Sequence, residues 1–531
     1  MKHRIGSRRA VLLCAGLLLT LPGARPASAD DAVLELRVHP SRPAPTLDRN
    51  VFGQFAEHLG TGIYGGVWVG KDSPIPNVRG IRSDVVNALR ALHVPNVRWP
   101  GGCFGDEYHW RDGIGPAAHR RVTVNANWGG ALDPNSFGTD EFMDFIDQIG
   151  SNAYVSVNVG SGTPAEAAAW MAYMTADPAT SAGQERAANG HRAPYRVQFV
   201  GLGNESWGCG GAMTPDYYVS QMKLYARFVR NYNAAQTGSD AMRRVAVGAD
   251  GAKTEYVEAV MKAWQEKVWS WDIEALSLHS YTSAGWPPAH PSEKFGEDEY
   301  ALLLKDTLAM DGLIARHSAI MDRYDPQKKV ALAVDEWGAW YAPLAGTNPG
   351  FLVQQNSLRD ALLAALNLDI FARHADRVRM TNIAQMINVL QAMIMTDHEK
   401  MVLTPTYYIY RMYVPFQDAR LVPVEFEAGR YSHGSITLPR VDAIAARDSH
   451  GTLWLALVNL DPDHPAHVHA IIDGAPPHSA QGQVLTAAAV DSVNTFTAPE
   501  TVAPRALGAT AGTHGLILDL PPKSVSVLQV Q

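Results

Sequence analysis

Two glutamates in this chain stand where a carboxylate is costly. One ends the stretch Val200-Gly201-Leu202-Gly203-Asn204-Glu205, and the other lies in Ala333-Val334-Asp335-Glu336-Trp337. Each follows an apolar run with the length and β-branched content of a buried strand. A carboxylate beside a buried strand must be paired or used. Two of them at one site raise each other's proton affinity, so that one stays protonated near neutral pH. The protonated group then serves a leaving oxygen while the ionised one attacks carbon, the division of labour that glycoside hydrolysis needs. A separation of about 5 to 5.5 Å favours retention through a covalent intermediate. The plainer reading is that each glutamate caps a helix or pairs with an arginine such as Arg98.

Other apolar runs also end in polar groups: Glu57-His58, Arg98-Trp99-Pro100-Gly101-Gly102, and His279-Ser280-Tyr281. None is informative alone, but polar groups from five strands converging on one face make a ligand pocket. Trp99, Trp110, Trp207, Trp286, Trp337 and Trp340 fall in the same loops, where aromatic faces either stack on sugar rings or fill space. Two tempting motifs fail. Gly65 to Lys71 has phosphate-loop spacing, but Asp72 replaces the required hydroxyl residue and would repel phosphate. Asn204-Glu205-Ser206 is formally a glycosylation sequon, but a glycan there would block the pocket.

The elements that must position these residues follow from periodicity. Strands are expected at Val51 to Ala56, Asn96 to Trp99, Ala153 to Val159, Val197 to Gly201, Arg244 to Ala249, Ala275 to His279, Lys329 to Val334 and Val378 to Ile383. Helix-period stretches lie between them, at Ser83 to Leu92, Thr139 to Ile149, Pro164 to Met174, Thr214 to Asn231, Lys253 to Trp264, Asp298 to Asp322 and Ser357 to Arg373. Eight such units imply a parallel sheet closed as a (β/α)8 TIM barrel, which places its chemistry at the C-terminal ends of the strands. Beyond about Pro415 helical periodicity gives way to short alternating runs such as Leu453 to Leu460 and Ser524 to Val530, an antiparallel β-sandwich of jelly-roll-like character. The expected organisation is a leader at 1–29, a strand within 30–49 that joins the sandwich, the α/β barrel at 50–400 and the sandwich at 401–531.

Six stretches carry a family resemblance: FGQFAEHLGTGIYGGVW at 52–68, RWPGGCFGDEYHWRDGIGP at 98–116, GLGNESWGCGG at 201–211, LSLHSYT at 276–282, DEWGAWY at 335–341 and NIAQMINVLQAM at 382–393. In order, they resemble glycoside hydrolase family 51, the α-L-arabinofuranosidases. The resemblance implies a retaining exo-enzyme that removes α-L-arabinofuranosyl groups from arabinoxylan, arabinan or their oligosaccharides, with no cofactor. It makes Glu205 the general acid/base and Glu336 the nucleophile, Asn204 a partner of the sugar 2-hydroxyl, His279 and Tyr281 orienters of the glutamates, and Glu57 and Gln385 binders of furanose hydroxyls. One position departs: Cys103 stands where many members carry a sugar-binding asparagine, and a cysteine is a poor donor and acceptor. The contact is then lost, or supplied by Asp106 or the loop backbone. Alternatives on the same scaffold are an endo-β-glucanase or a β-xylosidase, and in another class a silent carbohydrate-binding protein, against which the presence of both glutamates argues.

The 531 residues are 46% hydrophobic and 18% charged with a formal net charge of −8, a globular composition whose scattered basic residues exclude nucleic acid as an expected partner. Residues 1–29 combine a basic start, an apolar run from Ala10 to Leu21 and the ending Ala27-Ser28-Ala29, which reads as an export signal to the periplasm or medium, with Arg8-Arg9 suggesting the twin-arginine type. A run of about twelve apolar residues is short of a membrane span, so no stable anchor is expected. No zinc-ligand spacing appears among the three cysteines. Cys103 and Cys209 both follow barrel strands and are expected as neighbours at the barrel mouth, either as a disulfide in an oxidising compartment or as two buried thiols. Members of the family are often oligomeric, but no surface feature of this sequence shows it.

Overall fold

Eight of the apolar runs become eight parallel strands: Gly53–Phe55, Asn96–Trp99, Asn152–Val157, Val197–Leu202, Arg243–Asp250, Ala275–Thr282, Ala331–Ala339 and Val378–Ile383. Each pairs with its neighbours in chain order, and the eighth closes on the first through Asn382 and Ile383 against Gly53 and Gln54. The computed structural model describes residues 33–531 apart from 269, 475–476 and 513–514. The expected export signal at 1–29 lies outside the described residues. Strands in a parallel barrel are covered on both faces, which is why they read as continuous apolar runs. The seventh is buried at all nine positions.

Amphipathic helices wrap the barrel. Thr139–Ile149 buries Phe142, Phe145, Ile146 and Ile149 on one face and stops at Gly150, whose φ of 70° is the left-handed conformation that ends helices. The helices Pro164–Thr175, Pro215–Phe228 and Pro405–Met412 each start on a threonine that accepts a backbone N–H, with proline at the first helical position. Leu358–Arg373 is buried from residue 358 to 372, since the barrel covers one side and the C-terminal sheet the other. Its apolar residues therefore run around the whole helix rather than along one stripe.

The C-terminal region forms a ten-stranded sheet in which strand Leu34–Val38 runs parallel to Ala466–Ile472 and antiparallel to Val424–Phe426; every other pairing is antiparallel. Leu36 and Val468 from one end of the strand order pack with Leu455, Leu457 and Leu528 from the other in one apolar core, so the sheet folds over on itself in two layers. The alternating run at Ser435 to Leu438 does not join this sheet. It forms a separate hairpin, Arg430–His433 with Ile436–Pro439, whose Tyr431 hydroxyl donates to Glu297 at the start of the barrel helix Glu297–Tyr324.

Candidate active site

The second barrel strand supplies the centre of the site. Arg98 is buried, and its guanidinium donates from Nη1 to Glu336 Oε1 at 2.7 Å and from Nη2 to Asn204 Oδ1 at 2.6 Å. One cation thus spans the ends of the fourth and seventh strands, where the two candidate glutamates stand. The ion pair offered above as the plainer reading is real for Glu336, and it holds that carboxylate toward the cleft. Glu205 takes a different partner: His279 Nδ1 lies 2.9 Å from Glu205 Oε1 and 3.5 Å from Glu336 Oε2, with Asp335 Oδ1 3.3 Å from the opposite ring nitrogen. Tyr281 donates its hydroxyl to Glu336 Oε2 at 2.8 Å. A carboxylate oxygen of Glu205, one of Glu336 and a ring nitrogen of His279 all lie within 4.8 Å of one another.

Strand geometry explains why consecutive residues 335 and 336 both serve this centre. Successive side chains on a strand alternate in direction. The register breaks on both sides of the seventh strand, between Ser277 and His279 on one neighbour and between Val334 and Trp337 on its own side. Such an irregularity re-aims side chains. Asp335 then enters the barrel, where Tyr154 donates to its Oδ2 at 2.7 Å and Arg98 Nε approaches to 3.7 Å, while Glu336 reaches the mouth.

The electrostatics separate the groups. Burial pushes Glu205 above the usual carboxylate range, opposed by the His279 hydrogen bond and reinforced by Glu336. Burial also opposes a charge on His279, but Glu336, Asp335 and Glu205 outweigh it and push the imidazole up to about 10, which makes it a cation at neutral pH. Asp335 resists its own burial and is held below the usual range, first by Arg98 and then by His279 and Tyr154.

Glu57, after the first strand, is 2% exposed, and burial with the nearby Glu336 pushes it up to about 7. Its Oε1 accepts the Gly102 and Phe104 amides and the Trp128 indole N–H, and its Oε2 accepts Gln385 Nε2 at 3.0 Å. This crowding explains the Pro-Gly-Gly turn: a Cβ on Gly101 would meet Glu57 Cγ at 2.5 Å, and one on Gly102 would meet Glu336 Oε1 at 2.8 Å.

Cys103 offers no thiol to a sugar, because its sulfur is bonded to Cys209, with Cα atoms 5.5 Å apart. Asn204 Nδ2 donates to Cys209 Sγ at 3.7 Å, and that sulfur lies 3.6 Å from Glu205 Oε2. Asp106 does not replace the missing contact either; it is buried, and both its oxygens are engaged by backbone amides. All eight sequence-derived residues, Glu57, Cys103, Asn204, Glu205, His279, Tyr281, Glu336 and Gln385, therefore lie in one connected cluster. Sequence reasoning passed over Asp335 and Tyr154, whose signal was only a polar atom inside an apolar strand. It also missed Trp128, which arrives from the hairpin Thr123–Asn125 and Ala131–Asp133. Among the tryptophans, Trp99, Trp110 and Trp337 are core, whereas Trp340 meets Tyr281 edge to face at 4.9 Å and Trp286, 73% exposed, meets Trp340.

A closed parallel barrel whose strand ends bring together two carboxyls, an arginine and an imidazole defines a glycoside hydrolase of the (β/α)8 class. The family model for the α-L-arabinofuranosidase 1 domain matches residues 88–295, and that for the α-L-arabinofuranosidase C-terminal domain matches 335–524. A curated intracellular exo-α-L-arabinofuranosidase from Bacteroides ovatus is 41% identical over 499 residues, covering 93% of this chain and 95% of its own. The crystal structure of the family 51 arabinofuranosidase from Xanthomonas axonopodis pv. citri is 49% identical, with a TM-score of 0.91 over 94% of this chain and 100% of that one. The thermostable family 51 α-L-arabinofuranosidase from Thermotoga petrophila RKU-1 is 29% identical, with a TM-score of 0.79 over the same shares. The chain belongs to the α-L-arabinofuranosidases of glycoside hydrolase family 51.

The comparison corrects one expectation. The Bacteroides ovatus relative, matched over nearly its whole length, is named an intracellular enzyme, so the assignment of this chain to the periplasm or medium does not stand. The physical reason is that a basic start, a short apolar run and small residues form a loose compositional pattern that only a receptor turns into an address.

Proposed function

We propose that this chain hydrolyses terminal non-reducing α-L-arabinofuranosyl residues from arabinose-containing plant glycans and their oligosaccharides, with Glu336 as nucleophile and Glu205 as general acid/base. The observation that carries the reading is the approach of the two carboxylates within 4.8 Å. That is the close spacing of a double displacement, in which the second carboxylate itself attacks; an inverting enzyme keeps its carboxyls about 6.5 to 9.5 Å apart to admit a water.

The surroundings support the role proposed for each glutamate. Arg98 and Tyr281 hold Glu336 by both oxygens and so fix its orientation. Glu205 carries its Oε1 on His279, which leaves Oε2 to bear the proton delivered to the leaving oxygen. Its burial keeps that proton in place above the usual carboxylate range. After the glycosyl group has moved to Glu336, the Glu205 carboxylate, ionised by giving up its proton, takes one from the water that attacks the anomeric carbon and releases the sugar and Glu336. Asn204, with its oxygen fixed by Arg98, presents its amide to the sugar 2-hydroxyl, and Glu57 with Gln385 receives furanose hydroxyls.

Turnover of aryl α-L-arabinofuranoside, aryl β-xyloside and soluble β-glucan tests the substrate class. Turnover confined to the arabinofuranoside is expected. Preference for either of the others would move the enzyme to another activity on this scaffold, and turnover of none would leave a binding protein.

A further inference from the structure

Glu205 has a backbone φ of +39°, a left-handed conformation that a non-glycine residue keeps only where its surroundings hold it. The residue before it is held. Asn204 N–H donates to Asp106 Oδ2 at 2.7 Å, while Asp106 Oδ1 accepts Val159 N–H at 2.7 Å and Gly160 N–H at 2.9 Å. Asp106 is 2% exposed and ends the short 3-10 segment Cys103–Asp106 that follows the second barrel strand. One carboxylate therefore ties the loops after the second, third and fourth strands through three backbone donors, and its own carbonyl adds Ser161 N–H and Oγ–H. The fit leaves no slack: a Cβ on Gly210 would come within 2.7 Å of Asp106 Oδ2 and 1.8 Å of the Asn204 carbonyl oxygen. The other end of the same segment is tied to the same loop through Cys103 and Cys209.

We propose that Asp106 is a positioning residue for proton transfer: by fixing the Asn204 amide it fixes the left-handed turn at Glu205, and so the aim of the Glu205 carboxyl at the leaving oxygen. This rests on Glu205 being the general acid. The Asp106 carboxylate accepts from backbone N–H groups, so it acts on proton transfer through the turn. Burial pushes its pKa up to about 7 against the pull of Gly160, Val159, Asn204 and Arg98, and ionisation is what lets both oxygens accept.

Asp106→Asn isolates the tie. The amide oxygen stays with the paired Val159 and Gly160 donors, and the NH₂ group faces the Asn204 N–H, donor against donor, with almost no change in volume. The experiment measures kcat/KM on dinitrophenyl, nitrophenyl and unsubstituted phenyl α-L-arabinofuranosides for wild type, D106N and E205A, beside thermal unfolding of each. The phenyl-to-dinitrophenyl ratio cancels the folded fraction, so it remains readable if D106N is less stable. The expected result is a ratio about 10-fold lower in D106N than in wild type, the same trend as E205A in weaker form, since a good leaving group needs little proton donation. A D106N ratio equal to wild type, whatever its stability, overturns the proposal while E205A still shows the trend. Equal losses on all three substrates in E205A would instead remove the role given to Glu205.

Discussion

The proposed division between Glu205 and Glu336 rests on what each oxygen touches, and single substitutions separate them. Glu336→Ala is expected to lower turnover by about four orders of magnitude or more, and added azide should not restore an α-configured product, because a small anion entering from the vacated face yields the inverted one. The pH dependence follows from Glu205. A general acid must hold its proton, so kcat/KM is expected to stay high below the folded pKa of Glu205 and to fall as pH rises through it. Because burial raises that pKa, the basic limb should lie above the usual carboxylate range and disappear in E205A assayed on the dinitrophenyl substrate. An unchanged limb in E205A would assign it to another group. At this scale the sequence was readable for chemistry and silent on geometry. Glu205, Glu336, His279 and Tyr281 announce themselves as polar residues after apolar runs, but nothing in the order of residues says that Arg98 spans Asn204 and Glu336, because its reach depends on the curvature of the closed barrel.

Loops carry the site, and two of them are fastened in ways that can be undone. The hairpin Thr123–Asn125 and Ala131–Asp133 is latched by His58, whose Nδ1 lies 2.6 Å from Asp133 Oδ2 and whose Nε2 accepts the Trp99 indole N–H, and the hairpin in turn delivers Trp128 to Glu57. Trp128→Phe is expected to lower kcat/KM about 10-fold, the size of one lost hydrogen bond to a buried carboxylate, with little change in thermal stability. The second fastening spans 106 residues between Cys103 and Cys209. A loop of that length is worth about 4–5 kcal/mol in the chain-entropy account, so a dithiol reductant should lower Tm by a few degrees. Thiol titration of the denatured, non-reduced chain should find no free thiol from Cys103 or Cys209; two from this pair would show that the bond is absent. Sequence periodicity located the long helices because a continuous apolar stripe marks them. It passed over Ser181–Ala188, an alanine-rich helix with few buried residues, and strand Val441–Arg447, whose alanines carry little β-propensity.

The barrel and the C-terminal sheet share an apolar boundary with a buried acidic cluster inside it. Arg373, at the end of helix Leu358–Arg373, donates to both oxygens of Asp442 on strand Val441–Arg447, and Asp369 beside them accepts the Tyr413 hydroxyl. One arginine serves two buried carboxylates. Burial, and for Asp369 the neighbouring Asp442, pushes both above the usual carboxylate range. The folded state therefore binds more protons here than the unfolded chain, and the sign of the linkage makes stability fall as pH rises above that range. Asp369→Asn should raise Tm at alkaline pH relative to wild type and change it little near pH 4, measured by thermal unfolding across pH; the opposite order would show that the cluster ionises freely. The eight-stranded barrel was legible because its strands are buried on both faces, and the C-terminal sandwich because its strands alternate, whereas the strand order within that sandwich was not, since alternation reveals that a strand has one apolar face but not which strand it will meet.

A double displacement by Glu336 and Glu205 fixes the stereochemistry of release. Proton NMR of the reaction on an aryl α-L-arabinofuranoside, recorded before mutarotation, reads it directly. Arabinose should be released first as the α-anomer; initial release of the β-anomer would rule out the double displacement.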